Sequence, residues 1–474
     1  MKVVFVPVAV IIILLAVSAV LEKYFPGLRA VPRKILHIGA ISVCAFSVYI
    51  IPQTEYILIA SGAALPLTFT AVRFGFLKDK RTGRRSWGMV YFIAVFWLLT
   101  YFFGARRPEL VFYPMAVLAL ADGFATLAGE YLGVRRYTLG GDERSLTGSA
   151  VFFFLAAGIL LFAGRLFSFI PLPEGSVGFL IFIAVFLTFT EAASSRGRDN
   201  IWIPAAAAYW LAAGSAADLG TEAMLWPVLL AGAAYLAFRK KWLSGGGAAA
   251  AALMGAIFLV SPAPIYFLPP LIFFGAGTLL SLLPAPRRGE REKPPRRTAV
   301  QVWANGGPGA VSLMLWMLTG IDALALASVA GFSAALSDTA SSEIGSRLSN
   351  KSWSAVGLKK LEAGVSGGIS LPGSLAGILF AAVIPLAAVV SGLASVPEAT
   401  AIAVISVLSN YADSLAGQFL QEKNLRTDGT WTDSDREASS GIRGGRPGMT
   451  NDAVNALAVS LAVILTAVVF MLRG

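Results

Sequence analysis

Residues 453–472 read Ala-Val-Asn-Ala-Leu-Ala-Val-Ser-Leu-Ala-Val-Ile-Leu-Thr-Ala-Val-Val-Phe-Met-Leu, a run without a single charged side chain between Asp452 and Arg473. As a helix it is about 30 Å long, the thickness of the hydrocarbon core of a bilayer. A run of that length is a spanning helix, and the rest of the chain has to be read against a membrane. Working back towards the N-terminus, further apolar segments fall at 3–21, 35–51, 56–72, 87–104, 110–131, 149–164, 176–194, 201–216, 223–238, 246–261, 265–283, 301–318, 323–342, 364–393 and 398–419. The long one at 364–393 opens with glycine-rich sequence and reads as a loop followed by a helix. The segment at 3–21 has no convincing cleavage site before Lys23 and reads as a retained helix. The expected fold is an all-α polytopic membrane protein of about sixteen transmembrane helices.

Composition agrees. The 474 residues are 56% hydrophobic and 14% charged, where soluble domains carry roughly 25% charged residues. The mean hydropathy is +0.72. A soluble globule and a disordered chain are both excluded. A lone cysteine, Cys44, rules out an intrachain disulfide, and a lone histidine, His37, rules out a histidine-rich metal site. If the N-terminus lies outside and the segments alternate, the loops on the cytoplasmic side hold 33 of the 38 Lys and Arg. That asymmetry is the positive-inside pattern, so the net charge of +11 reflects topology and calls for no nucleic acid. The expectation is a multi-pass protein of the cell membrane with both termini outside. Proline and basic residues mark a linker at Pro284 to Arg297. Arg239-Lys240-Lys241 followed by Gly245-Gly246-Gly247 marks the domain junction, giving units 1–241 and 242–474.

The apolar segments hold six acids: Asp122, Glu130, Glu191, Asp338, Glu343 and Asp413. A carboxylate inside a spanning helix costs at least ~2.5 kcal/mol, which makes each a functional candidate. All lie towards the cytoplasmic ends of their segments, where Asp199, Asn200, Asn451 and Asp452 also fall. Hard oxygen ligands on one face, beside basic loops and glycines, suit Mg²⁺ and phosphate. Two stretches are alike. Asp122 opens D-G-F-A-T-L-A-G, followed by Ser145-Leu146-Thr147-Gly148-Ser149; Asp338 opens D-T-A-S-S-E-I-G, followed by Ser370-Leu371-Pro372-Gly373-Ser374. The shared pattern, D-x6-G then S-L-x-G-S, predicts two related units in tandem.

Residues 1 to about 240 resemble the dolichol kinase and phytol kinase family of membrane enzymes. The likeness lies in Arg33-Lys34-x-x-His37-Ile38, Ala121-Asp122-Gly123 through Gly129, Ser145 to Ser149, Glu191-Ala192-Ala193-Ser194, and Asp199-Asn200 with Pro204. It departs at Glu143-Arg144-Ser145, where the family has Lys-Lys-Ser. Residues from about 240 to the end resemble the membrane family that includes phytyl-phosphate kinase. Here the matching residues are Arg297, Gln301 and Asn305-Gly306; Ser337 through Gly345; Gly364, Gly367, Gly368, Ser370 and Gly373; Asp413 with Gly417 and Gln421; and Asn451-Asp452 with Asn455. Gly364-Val365-Ser366-Gly367 departs from the usual Gly-Thr-Asn-Gly.

The resemblance implies two consecutive phosphorylations, of an isoprenoid alcohol such as phytol or geranylgeraniol and then of its monophosphate, typically with CTP as donor and Mg²⁺ as cofactor. It implies that Asp122 and Asp199 hold metal, with Glu191 a further ligand or base. Arg33, Lys34, His37, Arg144, Ser145, Gly148, Ser149 and Asn200 would contact nucleotide or phosphate. In the second unit Asp338, Glu343, Asp413 and Asp452 form the metal or phosphate constellation. Arg297, Gln301, Asn305, Gly367, Gly368, Ser370, Asn451 and Asn455 support it. His37 also reads as a helix-interface residue, and the glycine-rich segment 441–448 as a lid. Two other classes stay open: a cytidylyltransferase making a CDP-activated lipid, and a secondary transporter, whose acids belong near the midplane of broken helices.

Overall fold

The computed structural model describes residues 2–25, 31–75, 85, 87–138, 142–162, 177–216, 225–259, 261, 264–283, 296–349, 352–356, 360–361, 367–425, 431–432 and 443–473. Most of the basic linker, Gly364 and Gly441 lie outside them. The chain is an all-α polytopic membrane protein. All sixteen apolar segments become helical, and they do so for the reason they were apolar: in hydrocarbon a backbone must satisfy its own hydrogen bonds. Among the described residues, seven helices are long and apolar enough to cross a membrane, and six further apolar helices are shorter.

Contacts divide the chain into two compact units, Met1–Pro227 and Val228–Gly474. The first contains α1 (Lys2–Tyr24), α2 (Val31–Ile50), α3 (Thr54–Arg73), α4 (Gly88–Phe103) and α5 (Glu109–Ala116). A π-helical turn, Val117–Asp122, carries α5 directly into α6 (Gly123–Tyr131). An antiparallel hairpin of β1 (Arg136–Thr138) and β2 (Glu143–Ser145) then leads to α7 (Leu146–Leu161), α8 (Val177–Ala193) and α9 (Asp199–Ala216). Pro114 lies inside α5; it has no N–H to give the carbonyl four residues back, and the helix widens into the π turn three residues later.

After α10 (Leu225–Arg239), the second unit contains α11 (Gly245–Leu259), a short 3₁₀ turn at Pro264–Phe267, α12 (Leu268–Ser281), α13 (Ala299–Thr319) and α14 (Asp322–Leu348). A small sheet follows: β3 (Ser352–Ser354) between β4 (Lys360–Leu361) and β5 (Gly368–Ile369). It leads to α15 (Leu371–Val390) and α16 (Val396–Phe419). A second small sheet places β6 (Lys423–Leu425) between β7 (Trp431–Thr432) and β8 (Arg443–Gly444), ahead of α17 (Asn451–Met471). Lys423 pairs with Gly444, and the Gly448 N–H donates to Glu422 Oε2 at 2.7 Å, so this part of the glycine-rich segment is tied to the end of α16.

In each unit the aspartate-bearing helix is the central one. The α5–α6 span is 67% buried inside the protein and α14 is 83% buried, against 11–39% for the other five long spans. Small residues allow this. Along α14, Ser333 Oγ donates to the Ala381 carbonyl at 2.8 Å and, one turn on, Ser337 Oγ donates to the Gly377 carbonyl at 2.9 Å, fastening α14 to α15. Ser409 Oγ likewise joins α16 to α17 through the Ala458 carbonyl at 2.6 Å. Close approach of helices over Gly, Ala and Ser is the packing mode available where lipid supplies no hydrophobic drive.

Candidate functional site

The repeated motif becomes a repeated joint. Ser145 caps α7 by accepting from the Gly148 N–H at 3.0 Å; Ser370 caps α15 by accepting from the Gly373 N–H at 3.2 Å. Each capped N-terminus abuts the aspartate helix at the same two offsets. A Cβ on Gly148 would stand 2.9 Å from the carbonyl oxygen of Ala125, three residues after Asp122. A Cβ on Gly373 would stand 2.8 Å from that of Ser341, three residues after Asp338. Gly129 and Gly345, each seven residues after its aspartate, face the capping serine, and a Cβ on either would lie 2.9 Å from its Oγ. The glycines and the first serine of the two motifs thus have packing and capping contacts. The joint brings a helix N-terminus, where backbone N–H groups and the helix dipole favour anions, against the aspartate helix.

In the N-terminal unit the structure brings six of the expected residues together. Lys34, in the first turn of α2, donates from Nζ to Asp122 Oδ2 at 2.9 Å; both side chains are buried. His37, one turn on, places Nε2 3.2 Å from the same oxygen. Arg33 is exposed. Arg144, on β2, spans three acceptors: Glu191 Oε1 at 2.8 Å, Asp199 Oδ2 at 3.3 Å and the Ser194 carbonyl at 3.2 Å. Burial alone would lower the Arg144 pKa, but the carboxylates of Glu191, Asp199 and Asp122 raise it. Glu191 Oε2 is buried with no hydrogen-bond partner. Asp199 and Asn200 are held by the turn before α9, where Arg196 and Gly197 take left-handed φ of 56° and 77°. The Asn200 N–H donates to Asp199 Oδ1 at 3.0 Å, and Asn200 Nδ2 donates to the Gly197 carbonyl at 3.3 Å. Ser149 Oγ and the Tyr137 hydroxyl lie 2.6 Å apart.

In the C-terminal unit the expected residues separate into two groups. Asp338 of α14, Asp413 of α16, Asn305 of α13 and Asn455 of α17 line one small cavity, together with Ser409 and Asn410 of α16. Asn305 Nδ2 donates to the Gln301 carbonyl at 2.9 Å. With the Asn455 amide turned so that its nitrogen faces α16, it donates to the Asn451 carbonyl at 3.0 Å and to Asp413 Oδ1 at 3.3 Å. Arg297 and Glu343 belong to a second cluster. The Arg297 guanidinium donates to the Gly277 carbonyl at 2.9 Å and to Ser281 Oγ at 3.2 Å, and Ser281 Oγ lies 3.2 Å from Glu343 Oε1. Arg347 closes the cluster on Glu343. Burial lowers the Arg297 pKa, and Glu343 offsets part of that shift. A backbone bridge between Leu243 and Arg297, with the Ser244 N–H on the Arg297 carbonyl at 3.0 Å, fixes where Arg297 stands.

Several other expected residues have local partners. Gln301 and Thr298 form a capping box at the start of α13. Gly367 has φ +83°, and a Cβ there would lie 2.5 Å from Gln418 Cβ; Gly368 pairs with Ser354 in the small sheet. Asn451 opens α17 and is exposed, and Asp452, next to it, is half-buried. Sequence reasoning did not pick out Asn410, Ser409, Ser281 or Arg347. Asn410 carried a readable signal, a polar residue in an apolar helix three residues before Asp413 and hence on its face.

Comparison with known proteins adds a family likeness to the second unit. No solved structure matches the chain. Protein VTE6, chloroplastic, from Arabidopsis thaliana is 27% identical over 232 residues, which is 47% of this chain and 64% of the relative. The chain thus spans just under two thirds of that protein's length. The model of the family described as integral membrane protein DUF92 matches residues 228–463, beginning at the first residue of the C-terminal unit, and it is that unit which carries the family likeness.

Proposed function

We propose that this chain is a membrane-embedded kinase that phosphorylates an isoprenoid alcohol in its N-terminal unit and the resulting monophosphate in its C-terminal unit, with a nucleoside triphosphate as donor. CTP is the donor that the dolichol kinase likeness implies. The observation that carries the reading is the duplicated joint: in each unit a buried aspartate helix meets a serine-capped helix N-terminus through a pair of glycines. Phosphoryl transfer asks the protein mainly for positioning and charge stabilisation, and such a joint supplies fixed N–H dipoles beside fixed carboxylates. Transporter acids near the midplane of broken helices would not need it.

In the first step the alcohol oxygen bonds to the terminal phosphorus of the triphosphate as the bond to the nucleoside diphosphate breaks, and the hydroxyl proton must leave. Glu191 Oε2, buried and unpartnered, is the acceptor for that proton, while Arg144 holds the other oxygen of Glu191 in place. Lys34, Arg144 and the N-terminus of α7 face the transferring phosphate. In the second step a monophosphate oxygen, already anionic, makes the new bond and no base is required. Mg²⁺, when bound, supplies neutralisation of the triphosphate charge. The C-terminal donor set of Asp338, Asp413 and Asn305 suits a hard cation, with Asp452 and Asn451 close in sequence to Asn455. In the N-terminal unit Asp122 and Asp199 are already engaged by Lys34 and Arg144, and the fit is poorer. Tethering the two units keeps a membrane-confined intermediate at high effective concentration. The active sites belong at the cytoplasmic face of the cell membrane.

The test is incubation of the purified full-length chain with labelled CTP, Mg²⁺ and phytol, geranylgeraniol or a longer polyprenol. Mono- and then diphosphate should appear with release of CDP. Pyrophosphate release would replace the reading with a cytidylyltransferase, and no lipid phosphate from any isoprenoid alcohol would end it.

A further inference from the structure

The shared joint makes one difference between the units conspicuous: what surrounds the aspartate. In the N-terminal unit Asp122, Glu191 and Asp199 meet Lys34 and Arg144, with His37 alongside. Nearly every negative charge there has a fixed positive partner from the chain itself. In the C-terminal unit the described residues that line the cavity between Asp338 and Asp413 are amides, a serine and apolar residues, with no Lys, Arg or His among them. Arg297, the cation of the family motif, and Arg347 are committed to Glu343, Ser281 and main-chain carbonyls. Asn410, only 9% exposed, lines the cavity, and its side-chain amide makes no hydrogen bond to any described residue.

Two carboxylates taken out of water without a countercharge are unfavourable, and the Asn410 amide that lines the same cavity has bonding capacity left to use. A hard divalent cation removes both deficits: carboxylate and amide oxygens are its ligands, one or two carboxylates with water suffice for it, and it brings two positive charges to two negative ones. Only two carboxylates converge here, and among the described residues no group of three or more His, Cys, Asp or Glu could hold a metal, so amide oxygens must complete the set.

We propose that the C-terminal unit holds a divalent cation between Asp338 and Asp413 before any nucleotide arrives, with Asn305 and Asn410 as amide-oxygen ligands, and that the N-terminal unit holds none in that state because Lys34 and Arg144 already occupy its carboxylates. The inference rests on the functional reading for its chemical sense. The first acceptor is a neutral hydroxyl, which needs a base and fixed cations. The second is a phosphate, which two carboxylates without a countercharge would repel until a cation stood between them.

Mn²⁺ is the probe, followed by electron paramagnetic resonance and by calorimetry on the detergent-solubilised full-length chain without nucleotide. One Mn²⁺ should bind per chain. Asp338→Asn, Asp413→Asn and Asn305→Ala should each weaken it by at least about tenfold, while Asp122→Asn and Asp199→Asn leave the stoichiometry at one. Thermal unfolding of each variant without Mn²⁺ separates a lost ligand from a lost fold; the isosteric Asp→Asn pair keeps the test standing if the alanine variant unfolds. No Mn²⁺, two Mn²⁺, or one that survives both Asp338→Asn and Asp413→Asn would overturn the inference. A chain that phosphorylates lipid yet binds no Mn²⁺ without nucleotide defeats this inference and spares the kinase reading. Mn²⁺ bound at Asp338 with no lipid phosphorylation does the reverse.

Discussion

Lys34 Nζ stands 2.9 Å from Asp122 Oδ2, the two residues 88 positions apart in the chain and both side chains buried. Removing one partner of such a pair leaves the other charge stranded, at a cost of about 3–5 kcal/mol. Lys34→Met should therefore destabilise the protein by that order in detergent melts. Asp122→Asn in the same chain should restore most of the loss, because a neutral amide needs no counter-ion. A double-mutant cycle read by thermal unfolding measures the coupling, and additive losses would show that the pair contributes nothing as a pair.

The Arg144 guanidinium reaches Glu191, Asp199 and the Ser194 carbonyl at once. A lysine is a single point charge without the planar fork, so Arg144→Lys cannot hold all three. The alcohol-phosphorylating step should fall by about ten- to a hundredfold, a loss of the order seen when groups that orient a site are removed. Phosphorylation of supplied prenyl monophosphate should be unchanged. Quantifying mono- and diphosphate separately checks it, and an equal fall in both steps would contradict the assignment of Arg144 to the first unit.

Ser145 and Ser370 do the same capping work. Replacing either with alanine should cost about 1 kcal/mol of stability, seen as a small drop in melting temperature. If capping is the whole of the role, the rate of the corresponding step should change less than tenfold. A larger loss in that step alone would mean that the hydroxyl also touches substrate.

The two glycine pairs should respond alike. A Cβ at Gly148 or Gly373 meets a backbone carbonyl oxygen under 3.0 Å away, and backbone cannot swing aside as a flexible side chain can. Gly148→Ala and Gly373→Ala should each destabilise by about 1–3 kcal/mol. The first should impair the alcohol step and the second the phosphate step. Unequal effects would show that the joints are alike in form but differently loaded.

The helical framework was legible because hydrocarbon admits so few backbone solutions: each apolar segment, from 3–21 to 453–472, had nothing to become but a helix. The loop before the helix in 364–393 was legible from its glycines and is now a strand, β5, and a serine cap. The acids of the site were legible because they are costly where they stand. Their partners were not. Lys34 meets Asp122 from 88 positions away in the chain, and Arg297 is spent on Ser281 and Gly277 instead of joining Asp338. No local spacing carries that information. The short hairpins were also hidden, since two or three residues of strand leave too little alternation to read. Gln301 and the serines of S-L-x-G-S show the opposite limit: a motif can mark a cap and a close approach as faithfully as it marks a ligand.

The π turn at Val117–Asp122 sets the rotational register of everything after it. One residue more per turn than an α-helix swings α6 by roughly 100° relative to α5, and Asp122 is its last residue. In the second unit α14 runs from Asp322 to Leu348 with no such offset. Deleting one residue between Val117 and Ala121 would leave hydropathy, length and charge almost untouched. It would also remove the extra residue that the π turn accommodates, so the helix would run regular with the aspartate still facing Lys34. Regularising the turn at unchanged length is what would swing Asp122 away, so in this protein the number of residues in an ordinary apolar stretch, and not their identity, sets where the aspartate points.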